Sequence, residues 1–170
     1  VRLCRHMMGE YPEEPMPFVI AADMLTEAGN YSEAMSLYSS AIQITSTEEQ
    51  QLSLKLSYLR CYSARLDQMT ATHQIDIEGI QRQLSEIQML YDECFRIASR
   101  TGVPDYIETM LSFCSFLMLH GGFEESYENL KAVVEVVLQE EEHVVKIYEM
   151  LGDLCRIYPG RNPCYNLSNA

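Results

Sequence analysis

Apolar residues along this chain recur at three and four positions for most of its length. Phe18, Ala21, Ala22 and Leu25 share one helical face, and so do Ala34, Leu37, Tyr38 and Ala41. Gly29-Asn30 stands between these sets as a stop signal, and Pro15 and Pro17 mark the start of the first helix. Thr47 followed by Gln50 resembles a capping box, opening a helix to about Met69. The polar, weakly patterned stretch Thr70 to Asp76 reads as a loop. A helix from about Ile77 to Ser99 follows, ended by Thr101-Gly102-Val103-Pro104. Asp105 with Glu108 predicts a second capping box and a helix to about His120. Gly121-Gly122 turns the chain, a further helix runs to about Glu141, and the last spans about His143 to Ile157 before Pro159-Gly160. No alternating strand pattern competes. The expectation is an all-α chain, a single domain over 1–170, with antiparallel hairpins at about 16–46, 47–100 and 104–142. A closing helix at 143–158 and a tail at 159–170 complete it. Val1 stands inside what reads as a helix end, LCRHMM, so a segment of a larger protein is expected.

The first hairpin sets small residues, Ala22, Gly29, Ala34 and Ala41, among the large ones Leu25, Tyr31 and Tyr38. Antiparallel helices approach closely only where small side chains face each other, and Ala22 and Ala34 suit that crossing. Tyr38 and Ala41 then offer a knob and a hole to a following hairpin. One such hairpin cannot bury its outer face, so the pattern asks for neighbours.

These seven residues resemble the tetratricopeptide repeat over about Met16 to Ser46. A weaker copy lies in MLSFCSFLMLHGGFEESYENLKAVVEVV, where Cys114, Leu117, Gly121, Phe123, Ser126, Leu130 and Val133 take the same relative places. A third fragment, IYEMLGDLCRIY, reproduces the repeat's opening through Tyr148, Leu151, Gly152 and Cys155. Between the better copies lies a degenerate one, with Cys61 at the close-approach site and Tyr91, Phe95 and Ala98 on its second helix. The small-residue sites Ala22, Cys61, Cys114 and Gly152 lie 39, 53 and 38 residues apart. The family period is about 34, so helices or loops here are longer than standard. The resemblance implies an α-solenoid of antiparallel helical hairpins, a tetratricopeptide-like superhelix.

In that family the first helices of the hairpins line a concave groove that holds a ligand peptide. The resemblance implies groove positions at Val19, Ile20, Asp23 and Glu27, then at Lys55, Tyr58, Leu59, Tyr62 and Arg65. It continues through Glu108, Leu111, Ser112, Ser115 and Met118 to Lys146, Glu149, Asp153 and Arg156. Four of the twelve basic residues would point inward, which suits a partner peptide or helix with apolar anchors and acidic groups. Tyr58 and Tyr62, one turn apart, are the expected anchors. A clamp for a terminal carboxylate is not implied, because Val19 and Asp23 stand where that subfamily has Lys and Asn.

Charge narrows the partner class. The net charge of −13 opposes nucleic acid, whose phosphates need concentrated Lys and Arg, and opposes an anionic membrane surface. Glu124, Glu125, Glu128 and Glu140-Glu141-Glu142 read as solvated helix faces. The longest nearly apolar run, Met110 to Leu119, is well short of the roughly 20 residues of a membrane-spanning helix. The six cysteines show no CxxC and no close pair, and four fall in apolar helical patterns. The expectation is a reduced intracellular protein, cytoplasmic or nuclear.

No catalytic signature emerges. His6, His73, His120 and His143 are scattered without Cys or carboxylate at metal-ligand spacing, and no phosphate loop, nucleophile elbow or HExxH occurs. No cofactor, no metal and no enzymatic activity are expected. The function expected is protein–protein interaction in the concave groove. One alternative is an internal structural or regulatory domain packing on other domains of its own larger chain. A remoter one is a helical nuclease-type domain, for which Arg65 and His73 are the only candidates.

Overall fold

A computed structural model describes residues 2–137 and 141–157. Eight helices occupy them: α1 (Arg2–Glu10), α2 (Pro15–Glu27), α3 (Tyr31–Ile44), α4 (Glu48–Ala71), α5 (Ile77–Thr101), α6 (Val103–Leu119), α7 (Phe123–Val137) and α8 (Glu141–Ile157). No strand occurs among the described residues, so the chain is all-α there. The expected tail at 159–170 lies outside the described residues.

Helix ends follow local chemistry. Asn30 N–H donates to the Leu25 carbonyl (2.8 Å) and Gly29 N–H to Thr26 (3.0 Å), with Gly29 at φ +75°. That is a Schellman turn, and it closes α2 as the Gly29-Asn30 pair predicts. Gly121, at φ +85°, ends α6 similarly, Gly122 N–H reaching the Leu117 carbonyl at 2.7 Å. The Thr47 hydroxyl accepts from Gln50 N–H at the head of α4 (3.4 Å), and the Asp76 carboxylate accepts from Gly79 N–H at the head of α5 (2.8 Å). A third Schellman turn closes α4, through Gln74 N–H to Met69 (2.9 Å) and His73 N–H to Thr70 (3.2 Å). Here the left-handed position belongs to His73, at φ +53°.

Three boundaries differ from expectation. Residues 2–10 form a helix, α1, packed on α2, where the sequence pattern predicts only a helix end and not an element of its own. Helix α6 starts at Val103, so Asp105 lies in its first turn and is not a cap. Pro104 lacks an N–H, and the first turn needs none. Gly102, at φ +141°, ends α5 and already accepts from Tyr106 N–H (3.1 Å). Helix α7 is described to Val137, residues 138–140 before its expected end near Glu141 lying outside the described residues, and α8 begins at Glu141, two residues before the expected start.

The chain divides into two compact units, Val1–Tyr106 and Ile107–Ala170. In the first, helices pack in chain order, α1 on α2, α2 on α3, α3 on α4 and α4 on α5. Small residues are wholly buried between them: Ala21, Ala22, Ala34, Ala41, Cys61 and Ala98. Cys61 Sγ lies 3.5 Å from the Tyr31 carbonyl and 3.7 Å from the Thr26 hydroxyl, so α4 approaches the α2–α3 turn closely there. Leu56, Leu59, Leu66, Ile87 and Tyr91 supply the bulk of the α4–α5 pair.

In the second unit, Ile107, Leu111, Cys114, Leu130, Val133 and Ile147 form one core cluster, against which Phe123 and Tyr127 pack. Ser126 and Cys114 meet across α6 and α7. The Ser126 hydroxyl donates to the Cys114 carbonyl (3.2 Å), and both residues are wholly buried. The spacing of the weaker repeat copy puts these residues where Ala22 and Ala34 stand in the first. Gly152, the last expected small-residue site, is exposed, and nothing lies within 4 Å of where its Cβ would be.

Two stability outcomes follow from this packing. Ala34→Leu inserts three carbons where no free surface remains, and it is expected to destabilise the first unit by more than about 1 kcal/mol; an unchanged urea midpoint would contradict that crossing. His73→Gly relieves a side chain held in the left-handed region. The change is expected to stabilise by roughly 0.5–1 kcal/mol, and a fall in Tm would contradict it.

Candidate partner-binding cleft

Lys55, Tyr58, Tyr62 and Arg65 sit at offsets of three, seven and ten residues on α4, which puts them on one helical face. That face opens into a cleft of about 510 Å³. Tyr58, Tyr62 and Arg65 form its floor. Met35 of α3 stands on one side, and Glu86, Met89, Leu90, Glu93 and Arg96 of α5 stand on the other. A smaller hollow of about 230 Å³ adjoins it, sharing Tyr58 and Leu90 and reaching Lys55, Ser39 and Ile42.

The cleft exists because α4 and α5 pair in a fixed antiparallel register. Arg100 donates to Glu48 (2.7 Å), Lys55 pairs with Glu93, and the Tyr62 hydroxyl donates to Glu86 (2.6 Å). Each step of seven residues along α4 meets a step of seven back along α5. A repeat of seven keeps the same seam facing across two helices over several turns. Glu48 and Arg100 are mutually supportive, the guanidinium lowering the carboxyl's pKa and the carboxylate raising the guanidinium's. Both are solvent-exposed, so the pair sets register more than it adds stability.

The aromatic floor is neutral across the physiological range. Tyr58 and Tyr62 meet edge to face, ring centroids 6.2 Å apart. Burial raises the pKa of both phenols, and in Tyr62 the hydrogen bond to Glu86 raises it further. Above them Met89 is 71% exposed, a large apolar side chain held in water at the cleft rim. The arrangement can seat an apolar side chain among Met35, Tyr58, Met89 and Leu90, beside both signs of charge.

The other expected groove residues lie elsewhere. Ile20 is exposed on α2, and Asp23 accepts a 2.5 Å hydrogen bond from the Tyr38 hydroxyl of α3. Burial first, then that bond, pushes the Tyr38 phenol up to about 12. Neither Ile20 nor Asp23 lines the cleft. In the second unit the Ser115 hydroxyl donates back to the Leu111 carbonyl (2.9 Å), and Arg156 pairs with Asp153 one turn away. The Lys146 side chain lies outside the described residues. The expected groove drew on first helices alone, whereas the walls of this cleft are α3 and α5, the second helices of the expected hairpins. Met35, Glu86, Met89, Leu90, Glu93 and Arg96 were therefore missed. The signal for the α5 wall was present, since Glu48, Lys55 and Tyr62 recur at seven residues, as do Glu86, Glu93 and Arg100.

The nuclease candidates are not brought together. His73 lines a separate depression with Thr70, Ile75 and Asp76, and Arg65 does not reach its lining. Among the described residues no group of three or more His, Cys, Asp or Glu side chains is placed to hold a metal ion. No helix among them is long and apolar enough to cross a membrane. No protein-family model matches the sequence, and no curated protein matches it.

Cys4, Cys61, Cys94 and Cys114 are free and buried. Burial raises the Cys61 thiol pKa and pushes those of Cys94 and Cys114 up to about 11. At pH 8 the folded chain is expected to alkylate at Cys94 and Cys114 about 100-fold more slowly than the same chain in urea, read peptide by peptide in a mass spectrometer. Equal rates would show that these thiols face solvent.

Proposed function

We propose that this chain is a protein-interaction module that seats a segment of another protein in the α3–α4–α5 cleft. The observation that carries this reading is Met89, a large apolar side chain kept in water at the rim of a hollow floored by Tyr58 and Tyr62. Exposing such a group costs solvation free energy, which a docked apolar side chain recovers. The walls are whole helices whose backbone groups are satisfied internally, so recognition falls to side chains. The four described free thiols support a reducing compartment, the cytoplasm or nucleus.

We read the array as tetratricopeptide-like. Its support lies in the matching glycine turns at Gly29 and Gly121 and in the small-residue crossing of Cys114 with Ser126. A second reading, an internal brace for a longer chain, is favoured by one observation on α2. Met16, Ile20 and Met24 recur every four residues and are each 45% exposed or more, forming an apolar row.

A phage library of random peptides panned on the folded chain separates these readings. Binders are expected to lose at least about tenfold in affinity on Tyr58→Ala or Met89→Ala, with the helical circular dichroism unchanged. Met89 is exposed, so its substitution tests the cleft without threatening the fold. Failure to enrich binders, or binders indifferent to both changes, would reject the cleft as the docking site. Binders lost instead on Ile20→Ala would favour the α2 face.

A further inference from the structure

The cations of the cleft are not equivalent. Lys55 is held by Glu93, and Glu86 is held by the Tyr62 hydroxyl. Arg65 and Arg96 line the same cleft, and among the described residues neither guanidinium is held by a carboxylate. The α4–α5 register sets them at opposite ends. Arg65 lies three residues beyond Tyr62 on α4, and Arg96 lies three beyond Glu93 on α5, which puts it level with Leu52. Thirteen residues of α4 separate those levels, roughly 20 Å at 1.5 Å per residue. Between them lie the apolar side chains of Tyr58, Met89 and Leu90.

Resting on the cleft reading, we propose that the occupant is an amphipathic helix of another protein, with apolar side chains at its centre and a carboxylate near each end. The end carboxylates meet Arg65 and Arg96, while Lys55 takes no part in recognition. Arg96 Nε donates to the Asp92 carbonyl (3.4 Å), which leaves its terminal nitrogens for a ligand. Charge complementarity names the acidic ends, since an ionised carboxylate and a guanidinium that no carboxylate holds form a charge-assisted pair. The walls name the helix. An extended strand brings unpaired N–H and C=O groups, and α3, α4 and α5 offer no backbone edge to receive them. A helix arrives with those groups already satisfied and needs only a row of side chains at three- and four-residue spacing. The net charge of −13 repels acidic chains in general. Only a helix whose carboxylates reach both guanidinia together overcomes that repulsion, which is a source of specificity.

The test pans a phage library of 18-residue helical peptides, randomised at their solvent-facing positions, on the folded chain. Enriched peptides are synthesised with a fluorescent label and titrated by anisotropy. They are expected to carry Asp or Glu toward both ends of an apolar face, and to weaken about threefold to tenfold on Arg65→Ala or Arg96→Ala. Arg60→Ala, at an exposed position on α4 outside the lining of the cleft, is expected to leave affinity within about twofold. Peptides that depend on Met89 but carry neutral or basic ends, or that ignore both arginine changes, would overturn the acidic-helix assignment while leaving the cleft standing. Equal losses on Arg60→Ala would show a general charge effect and overturn the assignment to Arg65 and Arg96. Proline-bearing, extended binders from the random-peptide selection would overturn the helix. No peptide sensitive to Met89→Ala would reject cleft and occupant together.

Discussion

The pairing of α4 with α5 is the constraint on which the candidate site depends. Two antiparallel helices of 24 and 25 residues have more than one way to face each other, offset by a turn. Glu48 with Arg100, Lys55 with Glu93 and Tyr62 with Glu86 remove that freedom, because a shift of four residues would break all three together. Individually, exposed or half-exposed pairs contribute little to stability. Collectively they select one register out of several. Tyr58, Leu90 and Met89 come to the same hollow as a result, and the floor of the cleft is a by-product of the lock.

Small residues do a separate job. Where helices cross, Ala22, Ala34, Cys61, Cys114 and Ser126 leave no exposed surface. The Cys114–Ser126 crossing adds polar contacts that bring one backbone against the other's side chain. Cysteine serves here as a small apolar residue of adaptable shape, and its burial removes it from redox chemistry. The core is thus set by volume, and the cleft by charge register.

Much of the fold was legible in the sequence. Thr47, Gly29 and Gly121 act on the backbone within a few residues of themselves, so their effects could be read one position at a time. The start of α6 was misread for an equally local reason: Asp105 and Glu108 imitate a capping box, while Pro104 fits the first turn of a helix that has already begun. The left-handed His73 was hidden because histidine carries no turn signal as strong as glycine's. The α4 side of the cleft was legible, since the repeat resemblance and the spacing both put Tyr58, Tyr62 and Arg65 on one helical face. The α5 wall was harder to read: its seven-residue recurrence stands in the sequence, but the partners of Lys55 and Tyr62 lie 38 and 24 residues away, and only the pairing of the two helices fixes which positions meet.

Between Leu66 on α4 and Ile87 on α5, no residue is fully buried. The hairpin therefore ends in a tip with no fully buried side chain, closed by its caps at His73 and Asp76. Its free energy of local opening is expected to be small and to grow toward Leu66 and Ile87, where full burial begins. Amide hydrogens would exchange fastest at the tip, with protection rising in graded steps toward the base of the pair. Loosening that travels down from the tip meets the Arg65 end of the cleft first, so the two ends of the hollow differ in rigidity even when both are empty.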